Sequence, residues 1–403
     1  MLLLSLLFVA CDQDPQNSEC IDIVREDIAD SVTLDVVQSN QDFSFAMLQQ
    51  LKDSQENIFF SPYSISSALG MVQMGAEEQT ETEMSAVLGV FDSELDWHRG
   101  QGNLVQELQL GDNCDYQFTV ANRVFMQDGF PIHEDYLANL SEFYQSDASI
   151  LDFAADSEGA RKQINTWVSE NTNEKIPELF PVGTITPDTA FVLTNAVYLN
   201  APWTQEFDPQ DTLPAEFLLA DGSTTQVEMM NQSEMSLSIS HQEGVTIAQI
   251  PYKGEDLSLV IVLPEDPTSL DTLIADLDAE MWNTWKADLY PTEANVGMPK
   301  FEMRYKRTLN DDLIDMGMPS AFGEADFSDI GPGLFIDLVI HEAWLKISEE
   351  GTEAAAATGV SLTSEAALMV DFLYLDRPFF FAIEDNRSGS ILFVGKLTDP
   401  SKL

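Results

Sequence analysis

The feature that most restricts the fold lies near the C-terminus, in one strand and the segment that follows it. From Val339 the odd positions are Val339, His341, Ala343, Leu345 and Ile347, an apolar face interrupted by one histidine. The even positions include Glu342, Lys346 and Ser348, with Trp344 the exception. This alternation predicts a strand with a buried face, and it places His341 in the core, where its ring nitrogens need partners. Next come Glu349, Glu350, Gly351, Thr352 and Glu353, four alanines (Ala354, Ala355, Ala356 and Ala357), and Thr358-Gly359. Alanine and glutamate favour a helix locally. In strand register, however, the even positions are Thr352, Ala354, Ala356, Thr358, Val360 and Leu362, all uncharged and the first four small. Such a segment could slip between two existing strands without burying a charge.

Between about residue 40 and the end of the 403-residue chain there is no internal repeat, low-complexity linker or long Pro/Gly hinge. That predicts one large domain. Ser64–Met74 and Gln163–Asn171 carry small and apolar residues at helical spacing. Phe191–Leu199, Leu257–Leu263 and Ser390–Val394 are β-rich, bounded by turn residues, and read as buried strands. Helices dominate the first third and strands the last half, an α+β arrangement rather than repeated βαβ units. With 69 acidic against 18 basic residues the net charge is −51. Such a chain repels phosphate backbones and anionic headgroups, which argues against a nucleic-acid partner. The acidity fits solubility, in a salty habitat where screening weakens self-repulsion.

Met1–Ala10 reads MLLLSLLFVA, an apolar run too short to span a bilayer and followed at once by Cys11. Residues 1–10 are expected to be a signal peptide. Ala10-Cys11 resembles a bacterial lipoprotein signal, with Cys11 lipidated, although no basic residue precedes it. The alternative is an ordinary secretory signal. Either predicts export to the cell envelope or beyond, with membrane contact only through a lipid anchor. Residues 11–38 form an acidic lead-in whose first part reads as a tether, and residues 39–403 the folded domain. Cys20 and Cys114 could form one disulfide in an exported chain.

Catalytic patterns come close and fail. His133-Glu134 and His341-Glu342 each begin a zinc-protease HE, but Leu137 and Leu345 stand where the second histidine belongs. Gly389–Leu397 imitates a phosphate loop with one residue too many, and Leu397 replaces the magnesium-binding hydroxyl. There is no G-x-S-x-G and no C-x-x-C. His98, His133, His241 and His341 sit in no pattern that names a base or ligand. No enzyme, metal site or cofactor is expected.

Over nearly all of residues 40–400 the sequence resembles a serpin. The hinge Glu349–Ala357 behind its strand carries the resemblance, supported in order by Asn57–Gly75, Thr194–Tyr198 with Trp203 and Phe207-Asp208-Pro209, and Pro251–Gly254. Pro299–Phe301, Leu313–Phe322, Arg377–Phe379 and Phe393–Leu397 with Pro400 follow. Two departures, the missing proline before Met229-Met230 and Ala201-Pro202 ahead of Trp203, concern turns or strand ends.

The resemblance implies helices packed around three β-sheets, with a large central sheet and an exposed reactive-centre loop. It implies a monomeric suicide inhibitor: a target protease is acylated on the loop, which then inserts into the central sheet and traps the enzyme. A shutter made by Ser61, Ser64, Asn195 and His341, and a breach made by Trp203, Lys300 and Glu349, are implied along the insertion path. The usual family spacing puts the cleaved bond fourteen residues after Gly351, at Glu365-Ala366, which suits glutamate-specific serine proteases. Leu368 or Met369 is the alternative, selecting chymotrypsin-like or subtilisin-like enzymes; cysteine proteases are a further target class. The basic cluster with which some serpins bind heparin is absent, so no glycosaminoglycan activation is expected. The rival is a non-inhibitory serpin acting as carrier, chaperone or binding module. Such relatives usually carry bulky or charged hinge residues, whereas Thr352 and Ala354–Ala357 are permissive.

Overall fold

The computed structural model describes residues 30–51, 57–91, 93–109, 115–352 and 371–403. The first helix, α1 (Ser31–Leu51), starts where the Asp30 carboxylate accepts the backbone N–H and hydroxyl of Thr33, a side-chain cap. The boundary placed at residue 39 falls inside this helix, and Val36 and Val37 are already buried in it.

Then come β1 (Ile58–Phe60), α2 (Pro62–Gln73), α3 (Glu78–Leu88), α4 (Glu94–Gln109), β2 (Gln117–Gln127), α5 (Glu134–Tyr144), β3 (Ala148–Leu151) and α6 (Phe153–Asn171). The middle of the chain gives β4 (Phe191–Pro202), β5 (Leu213–Leu218), β6 (Thr224–Gln242), β7 (Val245–Pro251), β8 (Leu257–Pro264), α7 (Leu270–Asp276) and α8 (Ala279–Ala287). The last part gives β9 (Tyr290–Pro299), β10 (Phe301–Thr308), α9 (Asn310–Met316), β11 (Val339–Ser348), β12 (Gly351–Thr352), β13 (Asp371–Tyr374), β14 (Phe379–Asp385) and β15 (Ser390–Leu397).

These strands make two hydrogen-bonded ladders among the described residues. The central sheet has the order β10-β11-β12-β4-β2-β3. The other runs β1-β15-β14-β8-β7-β6-β9-β13, with β5 also on β6. Two of the three expected sheets are joined here, because the long strand β6 continues through an irregularity between Gln232 and Met235 while pairing β9 on both sides of it.

The central sheet is covered on both faces. Val192, Ala196 and Ile340 pack with Ile164 and Val168 of α6, while Val197, Ala343, Leu345 and Ile347 pack with Leu259 and Phe381 of the second sheet. Both faces of β11 are therefore buried, and even Glu342 is only 2% exposed. Its carboxylate is held by Arg304 (3.0 Å) and Lys306 (3.1 Å) on the neighbouring strand β10. A buried carboxylate is tolerable when it is paired in this way.

Even if every cation were paired, 51 acidic charges would remain in excess. Their mutual repulsion opposes the compact state and is screened by salt. The unfolding midpoint is expected to rise from dilute buffer to a few hundred millimolar sodium chloride; a scanning thermal melt with no change, or a fall, would show that the charges are locally balanced.

Candidate functional site

β11 and β4 meet in parallel along five rungs, from Val339–Leu193 to Ala343–Val197. Above them the next rungs are made by β12, which lies between the two strands. Thr352 pairs Ile347 of β11 and Ala201 of β4; Gly351 pairs Ser348 and Pro202, antiparallel on both sides. Gly351 has φ +144°, and a Cβ there would stand 2.3 Å from the Ala201 carbonyl oxygen. Only glycine lets the chain reverse this close to β4.

The five-rung junction is bolted by side chains. Ser61 caps α2: its hydroxyl accepts the Ser64 N–H at 3.2 Å and donates to the Leu392 carbonyl at 2.6 Å. That places the Ser61 backbone N–H 3.1 Å from His341 Nε2. A nitrogen that accepts carries no proton, so the His341 hydrogen sits on Nδ1 and is donated to Asn195 Oδ1, one rung partner to the other. The Asn195 amide donates to Ser64 Oγ (2.7 Å) and to Asn122 Oδ1 (2.9 Å). Asn122 on β2 returns its own amide to the Ser64 carbonyl at 2.9 Å. Burial pulls the His341 pKa down to about 3. The ring is neutral, as its two hydrogen bonds require.

The upper end has a second lock. Trp203 Nε1 donates to the Ser348 carbonyl (3.0 Å), and its backbone N–H to the Glu350 carbonyl (3.0 Å). Its ring stacks on Tyr252 with centroids 4.6 Å apart. The Tyr252 hydroxyl is 2.7 Å from Thr352 Oγ1, and both groups are buried. Lys300 Nζ donates to Glu349 Oε2 at 2.7 Å, and the Thr212 hydroxyl to Oε1 at 2.9 Å. Burial alone would raise the Glu349 carboxyl; Lys300, a backbone N–H and Thr212 outweigh it and hold the pKa below its ordinary value.

The structure thus brings Ser61, Ser64, Asn195 and His341 into one network, and Trp203, Lys300 and Glu349 into another. Three participants were missed from sequence: Asn122, Tyr252 and Thr212. Asn122 had a readable signal, since asparagine is depleted in strand interiors. Tyr252 lay in the Pro251–Gly254 match, but nothing there named its partner 100 residues away, and Thr212 had no signal for a partner 137 residues away. Glu353, Ala354–Ala357, Glu365, Ala366, Leu368 and Met369 lie outside the described residues, as do Cys11, Cys20 and Cys114.

The profile of the family described as "Serpin (serine protease inhibitor)" matches residues 38–400. An uncharacterized serpin-like protein of Methanosarcina mazei is 35% identical over 387 residues, covering 92% of this chain and 89% of that protein. The leukocyte elastase inhibitor of Xenopus tropicalis is 34% identical over 369 residues, covering 89% of this chain and 97% of the relative. Among solved structures, human thyroxine-binding globulin complexed with thyroxine superimposes with a TM-score of 0.83 at 29% identity, covering 92% of this chain and 100% of that one.

The histidine gives the junction a pH dependence. An unfolded chain protonates His341 near pH 6.5, whereas the folded one resists to about pH 3. The unfolded state therefore binds the extra proton as pH falls, and stability drops below about pH 6.5 with no effect above it. Between pH 7 and 5 this residue should remove about 2 kcal/mol. The buried carboxyls Glu384 and Asp385, whose pKa values burial raises, act in the opposite sense. Denaturant titrations of wild type and His341→Gln at both pH values should therefore show the smaller acid loss in the variant; equal losses would place the titration elsewhere.

Proposed function

The chain belongs to the serpin family, and from that membership we propose that it is a suicide inhibitor of proteases, serine enzymes first, which traps its target as an acyl-enzyme by inserting the cleaved loop into the central sheet. The observation that carries this reading is β12, two residues of strand already paired on both sides between β11 and β4. Extending those rungs would set Ala354 between Leu345 and Leu199, Ala356 between Ala343 and Val197, and Thr358 between His341 and Asn195. The inward positions would thus meet core side chains with methyl groups, while Glu353 would fall opposite the partly exposed Lys346 and Asn200. At the shutter a threonine hydroxyl would stand where the His341–Asn195 bond now closes the sheet. About fourteen residues at roughly 3.3 Å each would make a strand some 46 Å long.

Glu365-Ala366 is the bond we favour, with Leu368 and Met369 as alternatives; mass spectrometry of the released fragment reads which. A carrier role is raised by the likeness to thyroxine-binding globulin. A denaturing gel after mixing with a panel of serine and cysteine proteases separates the two: a covalent band belongs to an inhibitor, clean cleavage to a carrier. We also propose export with Cys11 as lipid anchor; Cys11→Ser should then move the protein out of the membrane fraction, and a wild-type chain that is wholly soluble would sink the anchor.

The hinge gives the sharpest test. Thr352 is 1% exposed, so arginine there asks a guanidinium to enter the core, costing several kcal/mol. The acylated protease deacylates on its own clock, and slower insertion lets it escape. Thr352→Arg should be cut at the same bond by the same protease yet give little covalent complex. Cleaved wild type should gain thermal stability and the cleaved variant less. Trapping at wild-type stoichiometry would exclude insertion through this hinge.

A further inference from the structure

The strand that re-enters the fold after the loop segment carries an apolar patch unusual for a chain of charge −51. On β13, Phe372 is 70% exposed and Tyr374 40%, and Leu213 at the start of β5 is 57% exposed. β13 ends its sheet, pairing β9 through Phe372–Asn295 and Tyr374–Gly297. The Tyr374 ring lies over Gly297, where a Cβ would come within 2.2 Å of ring carbons, so the glycine lets the ring lie against the sheet. Phe372, Tyr374, Leu213, Pro214 and Val296 border one shallow depression of about 510 Å³, with Asp211 on its rim. Asp371 turns to the opposite face with the buried Leu373, its carboxylate accepting the Thr292 hydroxyl at 3.1 Å, so the polar rim is made by Asp211, Asn231, Gln232 and Ser233. Exposed aromatics grouped inside a polar rim mark an interaction surface.

We propose that this patch docks the body of the target protease and so helps select it, an inference that rests on the inhibitor reading above. The position of the patch names the occupant. The candidate bonds begin two to six residues before Asp371, so at roughly 3.3 Å per residue the attacked carbonyl lies within about 20 Å of β13. A protease domain of about 200 residues has a radius of gyration of roughly 16 Å. An enzyme holding that bond in its cleft therefore overlies the strand that receives the loop. The surface it brings there is apolar at its centre, to cover Phe372 and Leu213, with a basic group at the edge facing Asp211.

The contact acts before acylation, by slowing escape from the encounter complex, so its loss lowers the second-order rate of inhibition and leaves the number of inhibitors consumed per enzyme unchanged. The experiment takes the protease that gives a covalent band with wild type and compares Phe372→Ser, Tyr374→Ser and Leu213→Ser. Each exposed substitution should slow inhibition about tenfold at constant stoichiometry, the effect of removing an apolar anchor from an interface. Unchanged rates in all three would overturn the docking site while leaving the inhibitor reading intact. Slowing by the two β13 variants but not by Leu213→Ser would assign the effect to loop anchoring, and would overturn it equally. If no protease is trapped by wild type, the inhibitor reading itself fails and this partner falls with it.

Discussion

The hydrogen bond from His341 to Asn195 is the contact on which the rest of the site depends. It joins the two strands that would part in the proposed insertion, at the third of five direct rungs. Its direction is fixed from outside the sheet: Ser61, placed by its own cap on α2, gives a backbone N–H to Nε2 and so keeps the proton on Nδ1. A helix N-terminus thereby sets the tautomer of a strand histidine, and that tautomer closes the sheet. An apolar pair at the same rung would pack well yet lack this orientation, and opening the strands would not expose defined donors and acceptors for an incoming chain to satisfy.

In the proposed insertion the upper lock works against the lower one. β12 occupies the gap above Ala343 and Val197; Trp203 holds the Ser348 and Glu350 carbonyls that flank the turn leading to it, Lys300 holds Glu349 in that turn, and Tyr252 meets the Thr352 hydroxyl. On that proposal β12 is the first step of strand addition, and the shutter below holds back the next. The arrangement would then be frustrated in the physical sense: two sets of favourable contacts would compete for the same strand edges, and only one set could be complete. Gly351 is where they meet, because its backbone lies against β4 too closely for any side chain.

Much of this was legible in sequence wherever a period of two is visible. The alternation from Val339 and the small even positions from Thr352 announce a strand and a segment able to join it. Their geometry follows from pleating alone. The second buried face of β11 was not legible. Glu342 reads as a surface residue, and it is buried because Arg304 and Lys306 reach it across β10 and because the sheet is covered on both sides. The start of the first helix was obscured in the same way. Residues 31–38 were assigned to the lead-in, yet Asp30 caps them into a helix that already buries Thr33, Val36 and Val37. Asn122 was readable as an anomaly, and the partners of Tyr252 and Thr212 only through tertiary structure.

In the proposed inhibitor the acidity and the apolar patch on β13 would divide the work of recognition between them. A net charge of −51 attracts any basic protease from a distance, raising encounter rates without choosing among enzymes that share a charge. That attraction fades beyond the Debye length, about 8 Å at physiological salt and shorter in a saltier medium. Under such screening, selection has to come from groups in direct contact with the enzyme. The proposed bait segment would supply some of these, but any protease that accepts its sequence would cut it. Phe372, Tyr374 and Leu213 lie beyond the loop on a paired sheet, so their position is fixed while the loop is being attacked. A rigid apolar contact beside a cleavable segment discriminates by the shape of the enzyme's outer surface, a property that the sequence of the bait cannot read.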